Sequence, residues 1–314
     1  MFERTIDYLR ISVTDRCNLR CIYCMPQAGV DTVLYREILT FEEITRLVSI
    51  FASLGIRRVK LTGGEPLVRK DIISLIKSLV CVSGIKELSL TTNGVLLSNY
   101  AAELKKTGVN RINISLDTLR KDRFRDISGN DNFYDVIDGV ESARESGFSP
   151  LKLNMVVMKG INDDEISDFV EFCLSRGLIL RFIEFMNLMP LWREDYFMPI
   201  KEIKDICERK FGLEKAADLG PGPAEYYKIG GAQVGFIRTS EDNCRCCNRL
   251  RITSTGELKL CLYENGGLSL KDLLRRRDTD QKIRDAIAER LSVKESIDYR
   301  KWGSNTVHMS SVGG

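Results

Sequence analysis

The chain reads as an α/β protein of parallel βα units followed by a smaller C-terminal α+β region, and three observations carry that reading. Short β-rich runs alternate with helical patterns through the first two thirds of the 314 residues, the order that produces a parallel sheet. Helical patterns run into Gly55, Gly108, Gly147 and Gly177, where a left-handed residue ends a helix at no steric cost. The alternation breaks near Met189–Asp195, beyond which strands shorten and the helical stretches become charged.

Strands are expected at Leu9–Val13, Arg58–Thr62, Glu87–Thr91, Asn110–Ser115, Lys152–Val157 and Leu180–Phe185. Thr40 and Glu43 form a capping box ahead of Ile44, Leu47, Val48, Phe51 and Leu54, one apolar helical face. Further helices are expected over about 70–80, 98–107, 132–146 and 163–176. Six strands are two short of a closed eight-stranded barrel. Beyond them the sequence predicts a helix at about 200–211, a Gly220-Pro-Gly-Pro223 segment, and a hairpin of Arg249–Ser254 and Glu257–Leu262 around Thr255-Gly256. Charged helical stretches cover about 268–292. The division is residues 1–200 for the βα part and 201–314 for the smaller region.

Composition narrows the function classes. A hydrophobic share of 43% supports a sizeable core, and a net charge of +3 is too small to suggest nucleic acid from bulk charge. No apolar run approaches 18 residues, so no membrane helix is expected. The polar N-terminus carries no secretory pattern. Ten cysteines without such a pattern point to reduced thiols in a cytoplasm, where metal binding is the commoner use. Cys173 and Cys207 lie on apolar helical stripes, and Cys81 trails the run Leu75, Ile76, Leu79, Val80; all three read as core thiols.

Six of the remaining cysteines fall into two sets. Cys17, Cys21 and Cys24 have the spacing C-x3-C-x2-C, and no fourth cysteine is near. Three thiolates on a [4Fe–4S] cube leave one iron open to bind a small molecule, whereas four close it. A structural zinc site wants four ligands, and the only histidine is His308. Cys244, Cys247 and Cys261 have the spacing C-x2-C-x13-C, again three. A second open-iron cluster is one reading; a zinc site with Cys246 as fourth ligand is the other. Cys246 is an alternative ligand or a bystander. Arg249 and Arg251 stand two apart on a strand, so both point to one face, and guanidinium suits bidentate contact with phosphate.

The first spacing resembles that of radical S-adenosylmethionine (SAM) enzymes. The resemblance narrows to the GTP 3′,8-cyclase family of molybdenum cofactor biosynthesis through four features. These are the block from Tyr8 to Pro26, Leu61-Thr-Gly-Gly-Glu-Pro66 with Thr91-Thr-Asn-Gly94, the Cys247-Asn-Arg-Leu-Arg251 run with Cys261, and the terminal Gly313-Gly314. It implies a partial (β/α)6 barrel with the site at the C-terminal ends of the strands. It also implies two [4Fe–4S] clusters, with SAM on the first and GTP on the second.

By the same resemblance Tyr23, Gly63, Gly64, Ser115 and Met186 contact SAM, and Arg10, Lys60, Thr91, Lys152, Arg249 and Arg251 contact GTP. Many relatives carry arginine where this chain has Lys60, which keeps the charge and loses the fork. Gly313 and Gly314 would enter the active site and assist the chemistry. The implied reaction is hydrogen abstraction from C3′ of GTP by a 5′-deoxyadenosyl radical, then C3′–C8 closure to 3′,8-cyclo-7,8-dihydro-GTP. Implied partners are an electron donor such as flavodoxin or ferredoxin and, by pathway, a downstream cyclic pyranopterin monophosphate synthase. The resemblance allows a homodimer and implies neither nucleic acid nor membrane.

Overall fold

The computed structural model describes residues 5–24, 33–187, 189–217, 219, 222–238, 247–264, 266–296 and 312. Six strands form a parallel run in chain order: β1 (Tyr8–Ser12), β2 (Arg58–Thr62), β3 (Glu87–Thr92), β4 (Arg111–Ser115), β5 (Leu151–Val157) and β6 (Ile179–Glu184). Each begins and ends within one residue of its expected bounds. Helices α1 (Phe41–Ser53), α2 (Ile72–Val80), α3 (Leu97–Thr107), α4 (Lys121–Ser128), α5 (Phe133–Glu145) and α6 (Ile166–Arg176) occupy the crossovers. The capping box forms as read: the Glu43 backbone N–H donates to Thr40 Oγ1 at 3.2 Å and the Thr40 N–H to Glu43 Oε2 at 2.8 Å.

The C-terminal part continues this same sheet. After α7 (Ile200–Phe211) come β7 (Glu214–Lys215), β8 (Ala224–Ile229), β9 (Ala232–Ile237), β10 (Arg249–Ile252), β11 (Glu257–Lys259) and β12 (Leu268–Ser269), then α8 (Leu270–Arg275) and α9 (Asp280–Ser292). Strand β9 pairs parallel with β6 at one edge, and β10 parallel with β1 at the other. Eight parallel strands result, in the order β10-β1-β2-β3-β4-β5-β6-β9, with antiparallel hairpins beyond each edge. The two strands missing from an eight-strand count thus come from the C-terminal region. Strands β12 and β7 end the sheet without pairing to each other.

Alternate residues along each strand take opposite faces, and here the two faces differ sharply in chemistry. Leu9, Ile11, Val59, Leu61, Leu90, Ile112, Ile114, Leu153, Met155, Phe182, Leu250 and Ile252 are all buried to within 1%. They form one core with Leu47, Leu75, Leu104, Val136 and Phe169 of the surrounding helices. The residues between them are polar or charged, and they line the inside.

Two readings of single elements are corrected. Helix α4 was not expected: Lys-Asp-Arg-Phe-Arg-Asp-Ile-Ser carries only Phe124 and Ile127 as apolar anchors, too few for a periodic stripe. Cys81 is not a core thiol. It is exposed because it caps α2 past the last buried position, Leu79, while Cys173 and Cys207 are buried as expected.

Gly139 lies inside α5, where alanine would ordinarily stabilise a helix by about 1 kcal/mol. A Cβ there would sit 2.4 Å from the Gly94 carbonyl oxygen and 3.1 Å from Leu97 Cβ. Gly139→Ala is therefore expected to lower the melting temperature, with a loss of about 1–3 kcal/mol from overpacking, and thermal unfolding checks the sign.

Candidate active site: a cysteine loop at one end of a cationic barrel

The first cysteine loop leaves β1 at its C-terminal end. The segment before it is zipped to the segment after β2: Val13 N–H donates to Thr62 O, Gly64 N–H to Thr14 O and Glu65 N–H to Arg16 O, at 2.8–2.9 Å. Gly63 and Gly64 make this approach feasible. A Cβ on Gly63 would lie 2.6 Å from Thr14 O, and one on Gly64 2.3 Å from Arg16 O. Their first role in this fold is thus to let two loop backbones touch directly before Cys17.

Glu65 secures the same corner. Its fully buried carboxylate accepts from Leu67 N–H at 3.0 Å, Thr92 Oγ1 at 2.8 Å and Asn93 N–H at 2.7 Å. Burial pushes its pKa up to about 7, against the pull of those donors. Asn93 then donates to Asn18 Oδ1 at 2.8 Å and approaches Cys17 Sγ at 3.7 Å.

The far side of the loop rests on α4 and β4. Arg20 and Ile22 donate backbone N–H groups to Ser128 O and Ile127 O. Tyr23, between Cys21 and Cys24, donates its hydroxyl to Asp117 Oδ2 at 2.6 Å, and Asp117 Oδ1 accepts from Val156 N–H at 2.8 Å. Burial raises Asp117 to about 6. A cavity beside this pair is lined by Cys21, Tyr23, Asn93, Ser115 and Asp117. Met186, just past β6, packs into the same apolar cluster as Tyr23, Cys21 and Cys24. Tyr23, Ser115 and Met186 therefore gather around the cysteine loop, and Gly63 and Gly64 buttress it.

The donor set suits an iron–sulfur cluster. Cys17 Sγ already accepts a backbone N–H from Leu19 at 3.4 Å, the kind of bond that stabilises thiolate sulfur in clusters. Burial pushes all three thiols up, and for Cys21 and Cys24 the nearby Asp117 adds to it; a bound cation is what would ionise them. Among the described residues no three such side chains converge on a single metal ion. A cubane asks for something else, one thiolate at each of three separated corners.

The barrel interior is lined in register across the strands. Arg10 pairs with Lys60 and with Arg251, Lys60 with Ser89, Ser89 with Arg111, Asn113 with Lys152, and Asn154 with Arg181. An open cavity is bounded by Arg10, Arg58, Lys60, Arg111, Lys152, Arg181 and Arg249, and among the described residues Glu87 is the one carboxylate in its wall. Glu87 is taken by Arg111 at 3.3 Å. Burial above all, with repulsion from neighbouring cations, depresses four inward-facing groups: Arg10 falls to about 10, Lys152 to about 7, and Lys60 and Arg251 fall well below their usual ranges. So many buried like charges are costly unless an anion joins them.

Of the residues expected to meet GTP, the structure brings Arg10, Lys60, Lys152 and Arg249 into this wall. Arg251 lies beside Arg10 in register. Thr91 is half-buried nearby, accepting from Asn113 Nδ2 at 3.4 Å. Arg58, Arg111, Arg181, Tyr226 and Asp117 were missed. Of the three arginines only Arg58 carried a local signal, the charge at every second residue of Arg58-Val-Lys60; Arg111 and Arg181 are the single cations of their strands, and for Tyr226 and Asp117 no local signal existed.

At the second cysteine set, Cys247 and Cys261 are half-buried; Cys244, Cys246, Gly313 and Gly314 lie outside the described residues. Cys247 and Cys261 both lie within electrostatic reach of Arg251, which pairs with Lys259 across the hairpin. Buried Lys294 ties these strands by donating to Arg249 O at 2.7 Å and to Leu260 O. Burial acts to raise the Cys247 thiol, but Arg249 and Lys294 outweigh it and bring it down to about 7, a thiol ready to ligate metal.

Residues 11–173 match the model of the radical SAM superfamily, and residues 178–299 that of Molybdenum Cofactor Synthesis C. The fold is similar to that of Streptococcus suis SuiB bound to S-adenosylmethionine, with a TM-score of 0.60 at 17% identity over 88% of this chain and 66% of that one. Fold and cysteine loop together define the class, a radical SAM protein. The GTP 3′,8-cyclase of Heliobacterium modesticaldum is 44% identical over 100% of this chain and 99% of its own length. That of Moorella thermoacetica is 42% identical with the same coverage. Within the class, the chain belongs to the GTP 3′,8-cyclase family.

Gly64→Ala must displace the Arg16 carbonyl just ahead of Cys17. The variant is expected to retain about half the iron of the parent, the share of one [4Fe–4S] cluster out of two; iron analysis after anaerobic reconstitution reads this directly.

Proposed function

We propose that the barrel is the reaction chamber of a radical SAM GTP 3′,8-cyclase acting in molybdenum cofactor biosynthesis. GTP lies in the cationic interior and SAM at the cysteine loop. The observation that carries this reading is the polarity of the chamber: among the described residues, seven cationic side chains surround one cavity, in a sheet whose eight parallel strands run toward the end that carries the Cys17–Cys24 loop. A nucleoside triphosphate carries about four negative charges, and few small metabolites would balance such a wall.

The [4Fe–4S] clusters would be held by Cys17, Cys21 and Cys24 and by Cys244, Cys247 and Cys261; the first supplies the electron that cleaves SAM reductively. Tyr23, Gly63, Gly64, Ser115 and Met186 shape the SAM side. Arg10, Lys60, Thr91, Lys152, Arg249 and Arg251 bind and orient GTP. Fixing the nucleotide at both ends, base and phosphates, holds C3′ and C8 in the near-attack geometry that a ring closure needs. The apolar cluster of Phe185, Met189, Met158 and Ile127 around the loop would keep water from a radical. Gly313 and Gly314, outside the described residues, are assigned by the family resemblance alone to assist the chemistry.

In this reading the enzyme works in the cytoplasm with a flavodoxin- or ferredoxin-type donor and hands its product to a cyclic pyranopterin monophosphate synthase. The 201–314 region contributes the second cluster and part of the GTP wall. Among the described residues no helix is long and apolar enough to cross a membrane.

Anaerobic protein with SAM, GTP and reductant is expected to form 5′-deoxyadenosine together with a cyclised GTP product. Deoxyadenosine formed equally fast without GTP would overturn the substrate assignment.

GTP binding should also depend on pH through Lys152. Its pKa of about 7 reflects burial first, then Arg181 and Arg111, with Glu87 acting the other way; Arg10, Lys60, Arg249 and Tyr226 face the same space. Below pH 7 the ammonium is charged before GTP arrives. Above it the free enzyme is neutral there and must take up a proton on binding, so affinity falls by up to about tenfold per pH unit. Calorimetry between pH 6.5 and 8.5 in buffers of different ionisation enthalpy measures that uptake, and Lys152→Met should flatten it.

A further inference from the structure

Tyr226 reaches the cationic wall from β8, on the C-terminal hairpin, and is 4% exposed. Its register partner on β9 is Gly235. A Cβ on Gly235 would lie 2.9 Å from Tyr226 Cε1 and 3.1 Å from Arg181 Cγ. The missing side chain is therefore the slot that seats the phenol ring across the strand. Seated there, Tyr226 Oη meets Lys152 Nζ at 3.0 Å, and the Lys152 ammonium also stands 5.1 Å from the ring centroid. The Arg181 guanidinium stands close enough to the same phenol for the tyrosine to favour its charged form, while its Nε donates to Asn154 Oδ1 at 2.8 Å.

We propose that Tyr226 is a positioning residue of the substrate cavity, holding Lys152 and Arg181 in place for the phosphates of a nucleoside triphosphate. The inference rests on the reading of GTP as substrate. A hydroxyl oxygen has two lone pairs and one proton, so it can serve both cations at once. Being neutral, it orients them without quenching their charge. A carboxylate at this place would pair with them and compete with the incoming anion. The ring face adds cation–π attraction for Lys152, whose long flexible stem otherwise samples many rotamers. The C-terminal hairpin thereby sets the geometry of a lysine that belongs to β5, on the other side of β6.

The test is a double-mutant cycle on the reconstituted holoenzyme, with GTP and guanosine as probes. Tyr226→Phe keeps the ring in its slot and removes the hydroxyl. It is expected to weaken GTP binding about tenfold, the effect of one hydrogen bond to a charged group, and to leave guanosine binding within about twofold. KM for GTP should rise while kcat stays within about twofold. Tyr226→Phe combined with Lys152→Met should lose clearly less GTP affinity than the product of the two single losses, because the hydroxyl acts in part through that ammonium and keeps only its effect on Arg181 once the lysine is gone. The ratio of GTP to guanosine affinity is unaffected by any unfolded fraction, so it stays readable in a destabilised variant. Unchanged GTP affinity in Tyr226→Phe, or losses that simply multiply in the double variant, would overturn the proposal. Parent enzyme that fails to bind GTP would overturn the substrate reading and this inference with it.

Discussion

Everything at the centre of this protein depends on burying like charges inside a sheet. Strand after strand puts apolar residues outward against helices and a cation or amide inward. The helices pay no attention to what lies inside, and the outward face supplies the cohesion. The inward face is left with Arg10, Lys60, Lys152, Arg181 and Arg251, whose depressed basicity reflects how unfavourable their burial is without an anion. Ordinary eight-stranded barrels fill this volume with branched apolar side chains. Here the space is left open, and in the proposed reading the cost of the crowded cations is relieved when a polyanion binds.

The same sheet explains why the two ends of the chain meet. Strand β10 docks on β1 and β9 on β6, so the C-terminal region becomes the outer pair of the parallel run. Arg249 and Arg251 thereby stand next to Tyr8 and Arg10, and Tyr226 reaches Lys152. The cavity is a joint product of both regions.

The cysteine loop is held from both sides by the surrounding fold. Gly63 and Gly64 allow backbone contact on one side, Glu65 ties that corner to β3, and Tyr23 with Asp117 ties the other side to β4 and β5. Iron sites are tuned and kept by such surroundings as much as by their direct ligands. Lys294 plays a comparable part at the second set, joining the strands that lead to Cys247 and Cys261.

Much of this was legible in the sequence. Six strands, the Thr40–Glu43 cap, the glycine stops and the 249–262 hairpin follow from local periodicity and turn chemistry, which depend only on near neighbours. The two cysteine spacings and the paired arginines are equally local. What the sequence could not decide was contact between distant segments. Helix α4 has too few apolar residues to announce itself and exists because Phe124 and Ile127 pack against neighbours far along the chain. Cys81 depends on which way the last turn of α2 faces. Arg58, Arg111 and Arg181 look like ordinary strand charges until curvature turns them toward one another. Asp117 finds Tyr23 across 94 positions, and Tyr226 finds Lys152 across 74. The sequence by itself determined the kinds of elements and the ligand spacing; the tertiary structure alone decided which charges share a cavity, because that is set by sheet order and twist rather than by any local pattern.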